Sequence, residues 1–180
     1  MKKRLALLLL PVIICLCSFS APDWTLIQSN EGGFKMLFPV KPEGSSDTAR
    51  PESGPIPWKI AIYNANPTTD DNYLYGLSFS DFSSKEISSD FKDKRVDDFL
   101  DHVLTRSVTG ANGEVVLNDK ITFKDFPGRH MKISFAHGKA IMDLKIYLVH
   151  SRCYILQLDY LQKKENNPSI DKFFNSFELI

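Results

Sequence analysis

From Trp24 onward the apolar positions follow two different periods. Trp24 to Gln28 and Gly33 to Pro39 alternate apolar and polar residues as short strands do, and Pro39 ends the second because it has no N–H to donate. Pro39 to Pro57 is rich in Pro, Gly and Ser and reads as a long surface loop. Trp58 to Tyr63 and Tyr73 to Phe82 are rich in strand-forming residues and flank the turn cluster Asn64 to Asn72, which predicts an antiparallel pair. The period then changes. Phe91, Val96, Phe99, Leu100, Val103, Leu104 and Val108 recur at helical spacing, with Ser88, Ser89 and Asp90 for the start and Gly110 for the stop. Glu114 to Phe123, Arg129 to Ala136, Lys139 to Val149 and Arg152 to Leu161 predict four more strands. Asn167-Pro168 opens a second, shorter helix that buries Ile170, Phe173, Phe174 and Phe177. The order β-β-β-β-α-β-β-β-β-α implies an α+β fold: an antiparallel β-sheet of about six to eight strands with one long and one short helix packed on it.

Turn chemistry fixes how the last strands pair. A two-residue turn at His137-Gly138 sets Ser134 opposite Ile141 and Lys132 opposite Asp143. A second at His150-Ser151 sets Asp143 opposite Leu158 and Tyr147 opposite Tyr154. Because side chains alternate between faces, one face collects Met131, Ile133, Phe135, Ala140, Met142, Leu144, Ile146, Leu148, Cys153 and Ile155, and the long helix is expected on it. The other face collects His130, Lys132, Asp143, Lys145, Tyr147, Tyr154, Leu156, Leu158 and Tyr160. Two readings of this mixed face stay open. Either the second helix and solvent share it, with tyrosines shielding the sheet, or His130, Lys132, Asp143, Lys145, Tyr147 and Tyr154 line a cleft for an anionic or aromatic ligand.

The first twenty residues follow different rules. Met1-Lys2-Lys3-Arg4 and the apolar run after it have the proportions of a secretory signal peptide, and Ser18-Phe19-Ser20 offers small residues for cleavage after Ser20. The expected organisation is a signal peptide over 1–20 and one domain over 21–180, with no transmembrane span in the mature chain. A rival use of the leader is lipoprotein anchoring at Cys17, but Leu16 before it is bulkier than such a site takes. After cleavage only Cys153 remains, so no internal disulfide forms and a buried, inert thiol is expected within its apolar strand.

Composition narrows function more than it defines it. Taking Lys2, Lys3 and Arg4 from the 22 basic residues leaves 19 against 22 acidic ones, a slightly acidic domain with no basic stripe for nucleic acid. The four histidines lack metal-ligand spacing, and neither phosphate-binding glycine motifs nor a nucleophile elbow occurs, so no metal, cofactor or catalytic set is expected. Asp98 and His102 share a helix face, a pairing that suits an acid and base and equally an ordinary solvated surface.

The segments GGFKMLFPVKPE, FPGRHMKI, RCYILQLDYLQ and KFFNSFELI resemble the PsbP-like group of small exported proteins. The resemblance spans most of the chain after the leader and rests on packing and turns. It implies an antiparallel sheet flanked by helices, in a group that includes accessory subunits of photosynthetic complexes and bacterial envelope proteins. It brings no active-site residues. The function expected is therefore non-catalytic binding or accessory work in the bacterial cell envelope, with an unidentified protein or small molecule as partner. The alternative is an exported hydrolase using a His/carboxylate pair.

Overall fold

A computed structural model describes residues 23–49, 55–92 and 94–180. The expected leader, Cys15 and Cys17 lie outside the described residues. Among the described residues, ten strands and two α-helices form three layers. The central layer is a seven-stranded antiparallel sheet of β3 (Glu43–Ala49), β4 (Ile56–Asn64), β5 (Asn72–Asp81), β6 (Glu114–Phe123), β7 (Phe126–Phe135), β8 (Ala140–Val149) and β9 (Arg152–Leu161), in the order β3-β4-β5-β9-β8-β7-β6. Helix α1 (Arg95–Ala111) lies on one face. The other face carries α2 (Pro168–Asn175) and a small sheet of β1 (Thr25–Ser29), β2 (Phe34–Phe38) and β10 (Glu178–Leu179).

The three carboxyl-terminal strands of the large sheet pair as the turns predict. Ser134 faces Ile141, Lys132 faces Asp143, Asp143 faces Leu158 and Tyr147 faces Tyr154. Backbone chemistry explains why these turns hold the register. The Lys139 N–H donates to the Ala136 carbonyl at 3.3 Å, with His137 at φ 58° and Gly138 at φ 78°. Positive φ at both central residues gives a turn whose twist matches that of the strands it joins. His150 likewise adopts φ 53° at the second turn. Met131, Ile133, Leu144, Ile146, Leu148 and Cys153 consequently point together toward Val96 and Leu100 of α1. Arg129, only 4% exposed, ties the same layers: its Nη2 lies 2.6 Å from Asp97 Oδ1 and 3.4 Å from Asp101 Oδ1 on α1. Gly128, opposite Tyr147 in the ladder, permits close strand contact, because a Cβ there would run into the Ile146 carbonyl and the Tyr147 ring.

Several sequence expectations change. The Pro39–Pro57 segment is not all loop: Glu43–Ala49 pairs with β4, while residues 50–54 lie outside the described residues. Its side chains are almost all exposed, so the strand has no apolar alternation to betray it. Helix α1 starts at Arg95 rather than at Ser88 to Asp90, leaving Phe91 outside it. Ser88 Oγ accepts from the Asp90 N–H, and Ser89 joins the His150 backbone through its own N–H and its Oγ, so these residues brace a loop. The helix passes through Gly110 and stops at Asn112, whose φ of 48° is left-handed. At α2 the expected cap is present, with the Asn167 side chain accepting from the Ser169 N–H at 3.1 Å.

The mixed sheet face differs most from expectation. It is the larger core, covered by α2 and the small sheet rather than shared between one helix and solvent. Phe34, Met36 and Phe38 of β2 meet Tyr75, Leu77 and Phe79 of β5 and Tyr154, Leu156, Leu158 and Tyr160 of β9. Phe173, Phe174 and Phe177 close the layer. Among the described residues no helix is long and apolar enough to cross a membrane.

Candidate functional site

Two regions concentrate polar chemistry, one on each side of the large sheet. The first holds four of the six predicted ligand residues. Asp143, 1% exposed, receives His130 Nε2 at 2.8 Å on one oxygen and the Tyr160 hydroxyl at 2.9 Å on the other. Lys132 Nζ stands 3.7 Å from Asp143 and 3.5 Å from Glu165. Lys145 lies 4.9 Å over the Phe174 ring. Burial pulls its ammonium below the usual lysine range, against the opposing attraction of Asp143 and Asp171. Burial first, and Asp143 second, push the Tyr160 phenol upward, so it stays a donor to that carboxylate. These groups satisfy one another: a buried charge is tolerable here because every oxygen of Asp143 has a partner.

Tyr147 and Tyr154 are not part of this cluster. Tyr147 stacks on Phe177 at 6.1 Å with planes 11° apart, and burial pushes its phenol up to about 12. The Tyr154 hydroxyl donates to the Gly32 carbonyl at 2.6 Å, fastening the β1–β2 turn to the large sheet. Both were expected on a face partly open to water; both are buried because the small sheet covers that face. Among the described residues no three His, Cys, Asp or Glu side chains gather as a metal-binding set. Cys153 is fully buried, and that burial pushes its thiol well above the usual range.

The second region is a groove of about 560 Å³ on the α1 side. One wall is a single stripe of α1 carrying Arg95, Phe99, His102, Val103 and Arg106 at helical spacing. The facing wall is the start of β4, Ile56 to Trp58, and the floor includes Phe82 and Ile87. Trp58 meets Phe82 edge to face at 6.3 Å, and Phe82 meets Phe99 at 5.1 Å, giving a continuous aromatic lining. The size and the apolar lining with polar groups at the margin suit a small ligand. Asp98, also at the margin, pairs with Lys94 at 3.6 Å.

Sequence patterning did not single out this groove. Phe99 and Val103 were legible only as apolar helix positions, and Trp58 only as a strand residue. The hollow exists because the β4 end of the Pro39–Pro57 segment comes to lie beside α1, a relation between distant parts of the chain.

No family model matches the chain, and no curated protein matches it. Among solved structures it is similar to the solution structure of cyanobacterial PsbP (CyanoP) from Synechocystis sp. PCC 6803. The two share a TM-score of 0.56 over 91% of this chain and 96% of that one, at 7% sequence identity. The fold is therefore PsbP-like: an antiparallel sheet between helices, as the four quoted segments implied. Identity this low speaks to fold alone.

Proposed function

We propose that this chain is an exported, non-catalytic accessory protein of the bacterial envelope that works by binding, with the α1 groove as its binding site. The observation that carries this is the groove itself, a hollow with an aromatic lining and charged helix residues at its margin. The leader-like residues 1–20 support export, and the PsbP-like fold supports an accessory role. His130, Lys132, Asp143 and Lys145 fit a bracing role better than ligand capture, since they neutralise one another around a buried carboxylate. A hydrolytic reading would run through His130 and Asp143, yet among the described residues no serine, threonine or cysteine side chain hydrogen-bonds to that histidine.

The test is co-purification from the native envelope with wild type, His102→Glu/Arg106→Glu and a remote His137→Glu control. The expected result is a stoichiometric companion lost only in the groove variant. Equal recovery in all three overturns the assignment of the groove.

A further inference from the structure

Resting on the binding reading above, we propose that the groove takes a single-chain amphipathic anion, an acyl or aryl body ending in a carboxylate. The lining selects the body. Trp58, Phe82, Phe99, Ile56, Ile87 and Val103 present rings and branched chains, and the stripe from Arg95 to Arg106 runs about 16 Å along the helix, enough for an extended chain.

The margin selects the charge. Three acids border the groove: Glu86, which sits on the loop before α1, and Asp81 and Asp98. Asp81 is held by the Arg152 guanidinium through two bonds of 2.6 and 2.8 Å, and Asp98 by Lys94. Arg106 and His102, by contrast, make no ion pair or side-chain hydrogen bond among the described residues. Both are exposed on the helix at the margin, one turn apart. A carboxylate at the Arg106 end would receive a forked pair of donors while its chain lies on the aromatic lining. Glu86 repels an anion from the loop side, which sets the ligand's direction in the groove.

The chain supplies its own reporter. Its two tryptophans are Trp24 and Trp58, and only the second lines the groove, so Trp24→Phe isolates it. Trp58 emission is titrated in that background with dodecanoate, dodecyltrimethylammonium and dodecanol below their micellar ranges, and separately with phosphatidylglycerol vesicles. The expected result is a saturable shift with dodecanoate, weakened roughly tenfold by Arg106→Gln, and weaker responses to the other two amphiphiles. No response to vesicles is expected, because the source is a free single-chain acid. Equal responses to cation and anion, or no effect of Arg106→Gln, overturn the anionic class and leave the groove as a binding site. Response to vesicles alone overturns the single-chain ligand. Silence with every probe overturns the inference too, while the envelope co-purification still judges the binding role.

Discussion

Asp159 gives the sharpest quantitative test of the packing. It lies on β9 between Leu74 and Met142, is 6% exposed, and among the described residues its carboxylate accepts only from Gln157 Nε2, at 3.0 and 3.2 Å. Burial lifts it from an ordinary 3.8 to about 6, with the Gln157 bond working the other way. The fold therefore holds this proton more tightly than the unfolded chain does. Between these two values the unfolded chain binds fewer protons, so the Asp159 contribution to stability falls as pH rises and is most unfavourable above about 6. The gap corresponds to roughly 3 kcal/mol once the group is fully ionised in both states. Asp159→Asn keeps the shape and the acceptor while removing the charge. Urea unfolding at pH 4 and pH 8 should show near-equal stability of variant and wild type at the lower pH and a variant gain of about 2–3 kcal/mol at the higher. Taking the difference between the two proteins cancels Asp81 and Asp97, which cationic partners hold below the usual carboxylate range. A difference that does not change with pH, or a less stable variant at pH 8, would refute the reasoning.

Other parts of the structure give further expectations. Phe177 packs against Phe34, Phe123, Tyr147 and Tyr154, so Phe177→Ala should lower unfolding free energy by about 3–5 kcal/mol in urea titrations; a loss under about 1 would show that this core is loosely packed. Asp97→Asn should cost about 1 kcal/mol at pH 7, modest because Asp97 is 44% exposed although Arg129 is buried, and the cost should fade as acid protonates the wild-type carboxyl. Iodoacetamide should label the Cys153 peptide only after denaturant is added, as read by mass spectrometry; rapid labelling of the native protein would contradict the burial of that thiol.

The parts of the fold legible in the sequence are those fixed by local chemistry. Gly138 and the two histidine turns set the register of β7, β8 and β9, and strict alternation then sorted Leu144 and Ile146 to the α1 side. Asn167-Pro168 marked the start of α2 for the same local reason. What was not legible depends on distant contacts. β10 is two residues long, and β1 and β2 are five each, too short for periodicity to show that they leave the main sheet and cover Tyr147 and Tyr154. That one missing layer made a core face look like a surface. The groove was hidden similarly, since neither Trp58 nor Phe99 reveals alone that β4 and α1 leave a gap between them.

Backbone amide mapping by NMR locates binding most directly. Dodecanoate titrated into isotope-labelled protein should move signals of residues 56–58, 82–87 and 95–106 and leave those around His130 and Asp143 in place. Shifts centred on His130, Lys132 and Lys145, with the α1 signals unmoved, would contradict a binding site on the helix side of the sheet.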